Sequence, residues 1–371
     1  MSRRLLMLNW RDQRHPASGG AELVTYRVLT RLARDYGWDV EWFSGAYPGA
    51  ASQETADGIL YVREGSQATV HLCAYRRYRN RRFDVVVDQT NTIPFFTPLY
   101  AKSPVTLFIH QLAREVWFYE APAALRAIGY TMEPWLLRCY RNVPAITVSD
   151  STSQSLRHIG LRGPVTVIPE CVDDPGPPSE PIKSGANDVI VLGRLAPSKR
   201  IEESIRAAAE LRRLGWNGTL HVVGGGKPEY LNHLKALAYD LHQKTVFHGK
   251  VNDDERGRLL DQSALLWMTS VREGWGLVVS EAGRHWTPAV VYDSPGLRDA
   301  VRNGETGMVV PPDARQLARA AKELLDDSGR LERYAQAARD FSHELTWEKT
   351  TRAFQQGLEV AMESSGASSA E

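Results

Sequence analysis

The sequence predicts an α/β protein with two doubly wound domains, and three observations support this fold class. Apolar runs of strand length alternate with segments of helical periodicity in both halves of the chain. Between the halves, residues 173–181 contain four prolines in nine positions and show no apolar periodicity, which is typical of a linker. Residues 264–292 give a strand, a glycine loop, a helix and a second strand, which is the repeating unit of a parallel sheet.

The first half provides enough predicted strands for a complete sheet. They are expected at residues 5–8, 39–43, 59–62, 84–87, 105–109, 145–148 and 165–168. The clearest helix covers residues 21–36, because its apolar residues recur on one face. Ser151 and Gln154 have the spacing of a capping box, which predicts a helix start after the sixth strand.

The second half repeats the alternation. Its strands are expected at residues 189–192, 219–223, 245–247, 264–268, 289–292 and 307–310. Its helices are expected at residues 201–214, 229–241, 254–260, 277–286, 316–325 and 331–341. One more helix, near residues 347–362, follows the completed sheet.

These elements divide the chain into a first domain of residues 1–174, a linker of residues 175–186 and a second domain of residues 187–346. The end of the chain, residues 364–371, is rich in serine and alanine, and we expect it to be disordered.

Composition excludes several classes of protein. The 371 residues carry a net charge of +1, so no global field favours nucleic acid. Three cysteines are odd in number and far apart, which argues against a disulfide framework or a zinc site and suits a reducing cytoplasm. The N-terminus is basic, but its apolar run is too short for a signal peptide. No segment approaches the roughly 20 apolar residues that span a bilayer.

The glycine loop at residues 270–282 offers two kinds of ligand contact. Glu273 lies in the loop and Glu281 in the following helix, and carboxylates suit sugar hydroxyls. The backbone N–H groups of Gly276, Leu277 and Val278 lie where the helix begins, which favours an anion. A sugar nucleotide presents both hydroxyls and phosphate.

Other predicted strand ends carry candidate ligand groups. Arg194 and Lys199 follow the strand at 189–192 and suit a diphosphate, although a solvated basic loop would also explain Lys199. Gly19 and Gly20 would let a ligand approach the backbone closely beside a helix start, or they simply form a tight turn. His110 ends the strand at 105–109 and is either a ligand group or a hydrogen-bonded structural histidine.

Some patterns predict no site. The run Val222–Gly226 is not a dinucleotide fingerprint, because Glu229 occupies the third glycine position, and a sharp strand exit accounts for it better. The paired aspartates indicate no catalytic metal, since none forms an Asp-x-Asp motif at a strand end. A basic run at 76–82 and aromatics at 117–119 and 135–140 suit either an anionic membrane surface or a solvated helix face with core aromatics.

Six short motifs occur in order along almost the whole chain. They are Ser18–Glu22, His110-Gln111, Val148–Ser151, Val167–Asp173, Gly193–Lys199 and the Glu-x7-Glu sequence Glu273–Glu281. In this combination the chain resembles the GT-B glycosyltransferases of family 4. The resemblance implies two Rossmann-like domains facing across a cleft, with a C-terminal helix at 347–363 crossing back to the first domain. It also implies that the first domain binds the acceptor and the second the nucleotide sugar.

The resemblance implies a role for each motif residue. Glu273 and His110 would be the catalytic pair, and Glu281 would bind the ribose. The donor diphosphate would be held by Arg194, Lys199, Gly19, Gly20, Gly276, Leu277 and Val278. The segment Val246–Val251, including Phe247, His248 and Val251, would hold the base. Two departures stand out: Gly283–Trp286 is bulkier than the small residues usual in the family, and Cys171 replaces a usual glycine.

The implied activity is retaining, metal-independent transfer of a hexose-type sugar from a nucleoside diphosphate, UDP rather than GDP, to an acceptor hydroxyl. We expect no cofactor, no metal ligands and no nucleic-acid partner. We also expect a cytoplasmic location, with the N-terminal domain suited to peripheral contact at the inner membrane face. Two alternatives remain open: a sugar-nucleotide epimerase or hydrolase of the same fold, and a non-catalytic sugar-nucleotide-binding protein.

Overall fold

The computed structural model describes residues 2–174 and 187–367. The chain divides into two compact units. Unit 1 comprises Met1–Arg114, Ala127–Glu170 and Thr346–Glu371, and unit 2 comprises Glu115–Arg126 and Cys171–Leu345. The predicted linker at 175–186 lies outside the described residues.

Unit 1 is built on an eight-stranded sheet in the order β3-β4-β2-β1-β5-β6-β7-β8. Its strands are β1 (Arg4–Leu8), β2 (Asp39–Ser44), β3 (Gln53–Ala56), β4 (Ile59–Arg63), β5 (Val85–Gln89), β6 (Val105–Ile109), β7 (Ala145–Thr147) and β8 (Val165–Val167). All neighbours are parallel except β3, which pairs antiparallel to β4 at the edge. Sequence analysis missed β3 because its four residues are polar or small and half exposed.

Unit 2 is built on a six-stranded, all-parallel sheet in the order β11-β10-β9-β12-β13-β14. Its strands are β9 (Val189–Leu192), β10 (Leu220–Val223), β11 (Thr245–Gly249), β12 (Leu265–Met268), β13 (Ala289–Tyr292) and β14 (Gly307–Val310). The central strands are buried along their whole length, which explains their uninterrupted apolar sequences. The predicted α/β class and its parallel sheets are therefore confirmed.

The described helices cover the two sheets. They are α1 (Gly20–Tyr36), α2 (Val70–Tyr78), α3 (Val116–Glu120), α4 (Ala123–Leu136), α5 (Asp150–His158), α6 (Ile201–Arg213), α7 (Pro228–Asp240), α8 (Asp253–Gln262), α9 (Leu277–Arg284), α10 (Ala314–Leu325), α11 (Ser328–Glu344) and α12 (Trp347–Ala367). The final helix, α12, packs on α1 and on strands of the first sheet, so it groups with unit 1. No helix in the described parts of the chain is both long and apolar enough to cross a bilayer.

Three boundaries differ from the sequence predictions. The cap of α5 is Ser149 rather than Ser151: Ser149 is extended, and its side chain accepts a hydrogen bond from the Thr152 N–H. Helix α9 ends at Arg284, because Trp286 takes a left-handed φ of 57° ahead of Pro288. Helix α12 continues to Ala367, beyond the predicted start of a disordered tail at 364, and residues 368–371 lie outside the described chain.

Residues 115–126 group with unit 2, although the sequence places them within the first domain. Helix α3 lies in this segment and packs against the 3-10 turn Pro197–Lys199 of unit 2. Two acidic side chains of the segment, Glu115 and Glu120, form ion pairs with arginines of unit 2. These contacts are side-chain pairings between residues distant in sequence, which a local pattern does not reveal.

The packing of α9 on α11 depends on Gly283. A Cβ at this position would lie 2.7 Å from the Ala338 carbonyl oxygen, so only glycine fits without moving one helix. We expect Gly283→Ala to lower the free energy of unfolding by about 1–3 kcal/mol, the usual cost of overpacking. Urea unfolding followed by circular dichroism measures this change.

Gly329→Ala is the matched control, since a Cβ at Gly329 meets only side-chain atoms at 3.6 Å or more. It should leave the unfolding midpoint unchanged or raise it slightly, because alanine is the better helix former. Equal effects of the two variants would refute the proposed close contact.

Candidate functional site

Two loops of unit 2 meet at the carboxyl edge of its sheet. Strands β9 and β12 are parallel neighbours, with Val189 opposite Leu265, so the loops that follow them emerge on the same side. The Val271 N–H donates to the Ser198 carbonyl over 3.0 Å and joins the two loops. This edge therefore gathers the predicted residues of Gly193–Lys199 and Glu273–Glu281.

Lys199 and Glu273 form a close ion pair at this edge, and both side chains are largely buried. The Ser270 hydroxyl donates to the same Glu273 oxygen over 2.6 Å. The Glu273 N–H donates to the Pro295 carbonyl over 2.9 Å and fixes the loop. The structure thus pairs Lys199, which we predicted to bind phosphate, with Glu273, which we predicted to be catalytic.

Arg194 is held by a carboxylate that sequence analysis did not select. Its two terminal nitrogens lie 2.9 and 3.1 Å from the two oxygens of Glu120, which is a bidentate pair. The Ser198 hydroxyl also donates to Glu120. Burial alone would raise the pKa of Glu120, but the hydrogen bonds from Ser198 and Arg194 outweigh it and hold the pKa below its ordinary value.

A second acidic residue of the same segment pairs with the glycine loop. Arg272 is buried, and its Nε donates to the Glu115 carboxylate over 2.8 Å. Neither residue was predicted to take part in the site. The only sequence signal was position, because Arg272 directly precedes Glu273.

Helix α9 begins as the sequence predicted. Gly276 precedes its first residue with a φ of 101°, a left-handed conformation that glycine adopts without strain. Leu277 and Val278 are in the first turn and only half-buried. The first N–H groups of an α-helix have no acceptor within the helix, so this end presents donors at the same sheet edge as Lys199.

Glu281 lies one turn further along α9 and is largely buried. The Nε of Arg256 in α8 makes a close ion pair with its carboxylate. Burial raises the pKa of Glu281, while the positive charge of Arg256 and the nearby His285 oppose that rise. Arg256, a residue that the sequence did not single out, is therefore the main group that opposes the rise in the pKa of Glu281.

The predicted base-binding segment is divided between two environments. Phe247 is half-buried and packs against the hydrophobic core of unit 2. His248 lies 2.9 Å from His221, and the Nε2 of His221 lies 3.2 Å from Asp188. Burial, followed by the charge of His221, lowers the pKa of His248. Val251 is half-buried and lies just before α8.

In unit 1, His110 directly follows β6 and is buried, with protein partners at both ring nitrogens. Nδ1 lies 2.7 Å from the Glu170 carboxylate, and the Gln89 amide lies 3.3 Å from Nε2. The Thr25 hydroxyl donates to the Gln89 oxygen, which turns the amide N–H toward the histidine. His110 is thus orientated by Gln89 and Glu170, neither of which was predicted.

Gly19 and Gly20 lie where β1 passes into α1. Gly19 precedes the helix, and its N–H donates to the Glu22 carboxylate over 2.8 Å. The buried Glu22 also accepts from Arg11 Nε at 2.8 Å and Asn91 Nδ2 at 3.1 Å. The glycine loop of unit 1 is therefore anchored by one carboxylate.

Within each unit, the structure brings together most of the predicted residues. Unit 2 collects the two cations, Glu273, the start of α9 and Glu281, while Phe247 faces the core. In unit 1 a chain of hydrogen bonds from Thr25 through Gln89 connects α1 to His110. The described residues contain no group of three His, Cys, Asp or Glu side chains arranged to hold a metal ion.

Two family models match consecutive parts of the chain. The model "Glycosyltransferase Family 4" matches residues 18–174, and the model "Glycosyl transferases group 1" matches residues 174–341. Together they include all the site residues that the sequence predicted.

Relatives and solved structures agree with these matches. Glycogen synthase of Mycobacterium tuberculosis is 30% identical over 238 residues, which are 62% of this chain and 56% of that protein. The chain therefore spans about half the length of this curated relative. Sucrose-phosphate synthase from Thermosynechococcus elongatus has a TM-score of 0.77 at 19% identity, covering 95% of this chain and 98% of that one. Anabaena HepE, solved with UDP and glucose, has a TM-score of 0.73 at 18% identity, covering 96% and 99%.

These solved structures establish the GT-B fold, in which two α/β domains each carry a parallel sheet. The two sequence models establish the family, because they follow one another along residues 18–341. The protein therefore belongs to the GT-B glycosyltransferases of family 4, and its residues 174–341 match the group 1 model.

Proposed function

We propose that the protein is a retaining glycosyltransferase that moves a hexose-type sugar from a UDP-sugar to an acceptor hydroxyl without a catalytic metal. The observation that carries this proposal is the pairing of Arg194 and Lys199 with carboxylates at the carboxyl edge of the second sheet. Two cations beside the start of α9 suit a diphosphate leaving group, and Glu281 suits a ribose. UDP is the nucleotide bound to HepE, and this supports it as the donor to test first.

The proposed chemistry separates the roles of the charged groups. Arg194, Lys199 and the first N–H groups of α9 stabilise the charge that builds on the leaving diphosphate, which is the largest electrostatic contribution. Glu273 positions the transferred sugar, and its pairing with Lys199 holds both groups in place. The acceptor attacks from the side of the leaving group, and a donor phosphate oxygen takes its proton, which gives retention without a protein nucleophile.

Product analysis tests this function. We expect turnover of a UDP-hexose in excess EDTA, dependence on an added acceptor, and an α-linked product from an α-linked donor in the NMR spectrum. Inversion would remove the retaining mechanism, and activity restored only by Mg²⁺ or Mn²⁺ would remove the metal-free one. Turnover without acceptor would indicate the epimerase or hydrolase alternative, and nucleotide binding with no turnover would indicate the non-catalytic one.

Lys199→Ala connects this activity to the site. We expect kcat/KM to fall about 100-fold or more, since removing one preorganised charge from a transition state costs on the order of 3 kcal/mol. The control is Arg206→Ala, a half-exposed arginine of α6 paired with Glu203. Similar losses in both variants would show that lost surface charge, rather than the phosphate contact, is responsible.

The Glu120 carboxylate lies where it would compete with a donor phosphate for Arg194. This carboxylate makes with Arg194 the bidentate contact that we assign to a phosphate, so the donor must displace it. We expect Glu120→Gln to lower the donor KM a few-fold with little change in kcat, because surface ion pairs are worth up to about 1 kcal/mol. Initial rates against donor concentration measure this.

Glu348→Gln removes a comparable exposed ion pair, the one with Arg352 in α12, and should leave the donor KM unchanged. A raised KM in Glu120→Gln would mean that Glu120 orients Arg194 for the donor instead of competing with it.

The ionisation of Glu281 should limit activity in acid. Burial raises the pKa of this carboxylate and Arg256 opposes the rise, so removing the arginine raises the pKa further. We expect Arg256→Leu to move the acid limb of the kcat/KM profile to higher pH, because kcat/KM reports ionisations of the free enzyme. Arg258→Leu, which loses an exposed pair with Glu255 on the same helix, should leave the acid limb in place.

A further inference from the structure

Helix α4 has the reverse of the usual amphipathic arrangement in the part that belongs to unit 1. Its buried residue is the acidic Glu133. Its apolar residues Ile128, Met132 and Trp135 are exposed, with Trp135 at 58%. They recur at spacings of four and three, so they form one stripe along the helix. A helix packed by the hydrophobic effect would turn this stripe inward.

Polar contacts hold the helix in this orientation. The Glu133 carboxylate accepts from the Ala113 and Arg114 N–H groups over 2.5 and 2.7 Å. Pro134 has no N–H for the carbonyl of Tyr130, and the Arg114 guanidinium donates to that carbonyl over 2.9 Å. The same guanidinium lies 3.8 Å from the centre of the Tyr130 ring. The exposure of the stripe is therefore built into the fold.

Other exposed apolar side chains lie on neighbouring elements of unit 1. They are Leu99, on the 3-10 turn 97–99, together with Ile93 and Leu72. The turn packs against the 3-10 turn 137–140 that continues α4, and the Tyr75 and Tyr100 rings are in contact at 5.3 Å. The Ile93 carbonyl lies 3.3 Å from His71 of α2. We call these six residues (Leu72, Ile93, Leu99, Ile128, Met132 and Trp135) the α4 face.

The charges around the α4 face have one sign. Arg76 lies one turn after Leu72 on α2, Arg79 directly follows that helix, and Arg138 and Arg141 follow α4; all four are exposed. Residues 65–83, 91–104 and 127–142 contain a single acidic residue, the buried Glu133. A second copy of this face would present the same positive charge, which opposes self-association. An anionic surface is complementary to it.

We propose that the α4 face docks flat on an anionic lipid bilayer. The apolar stripe enters the boundary between headgroups and acyl chains, Trp135 lies at the headgroup level, and the arginines contact lipid phosphates. This binding is peripheral, since an interfacial helix lies in the plane of the membrane instead of crossing it. The proposal is independent of the transfer reaction, because it concerns residues outside the proposed donor site.

Vesicle sedimentation of the full-length protein tests the proposal. We expect binding to vesicles of phosphatidylcholine with 30% phosphatidylglycerol to exceed binding to pure phosphatidylcholine at least tenfold, and to weaken at 0.5 M salt. The triple variant Ile128→Ser, Met132→Ser, Trp135→Ser should lose at least tenfold in binding. Tyr239→Ser, at a residue 80% exposed on α7 of unit 2, is the matched control and should bind like the wild type.

Trp135→Phe gives a second measurement that keeps the stripe apolar. It should still bind the anionic vesicles but lose the tryptophan quenching that brominated lipids produce in the wild type. Equal binding of the wild type and the triple variant, or no binding by the wild type, overturns the proposal. A wild-type dimer in analytical ultracentrifugation that the triple variant loses, without vesicle binding, would assign the face to a second copy of the chain instead.

Discussion

The geometry of the candidate donor site depends on one close backbone approach in unit 2. The loops after β9 and β10 lie against each other, with Leu195 bridged to Gly226. A Cβ at Gly224 would overlap the Gly193 carbonyl, and a Cβ at Gly226 would overlap that of Leu195. Gly224 and Gly226 thus allow this contact, which fixes the loop carrying Arg194 and Lys199. This agrees with a sharp strand exit and not with a dinucleotide fingerprint.

The second constraint on the candidate donor site is that each of its cations is paired with a carboxylate. Arg194, Lys199 and Arg272 each face a carboxylate, and two of these, Glu120 and Glu115, come from one short segment. A site that binds a diphosphate exchanges one set of anions for another, so no bare cluster of cations has to be maintained. Because Arg194 is 64% exposed, its pair with Glu120 is weakened by water and is the easiest to exchange.

The sequence predicted what local pattern determines. Apolar strands and glycine loops located both sheets, apart from β3, within a few positions, and the motifs selected residues that the fold places at the edge of the second sheet. It could not predict contacts between distant segments, such as Glu120 with Arg194 or Glu170 with His110, because nothing local encodes them. Phe247 shows the same dependence on tertiary packing: an aromatic residue near a strand end suits a base or a core equally, and here its side chain packs against the core of unit 2.

Two buried charged residues fix the placement of helices that the apolar pattern of the sequence does not explain. Arg284 is buried and donates to the Leu345 carbonyl over 3.1 Å and to His343 over 2.8 Å, which ties α9 to the end of α11. The Glu133 carboxylate likewise ties α4 to the backbone N–H groups of Ala113 and Arg114. A single carboxylate with two backbone donors orients that helix, and its residues Ile128, Met132 and Trp135 stay between 39% and 58% exposed. Part of the roughly 1.5–3 kcal/mol that full burial of a large apolar side chain provides therefore remains available for contact with another surface.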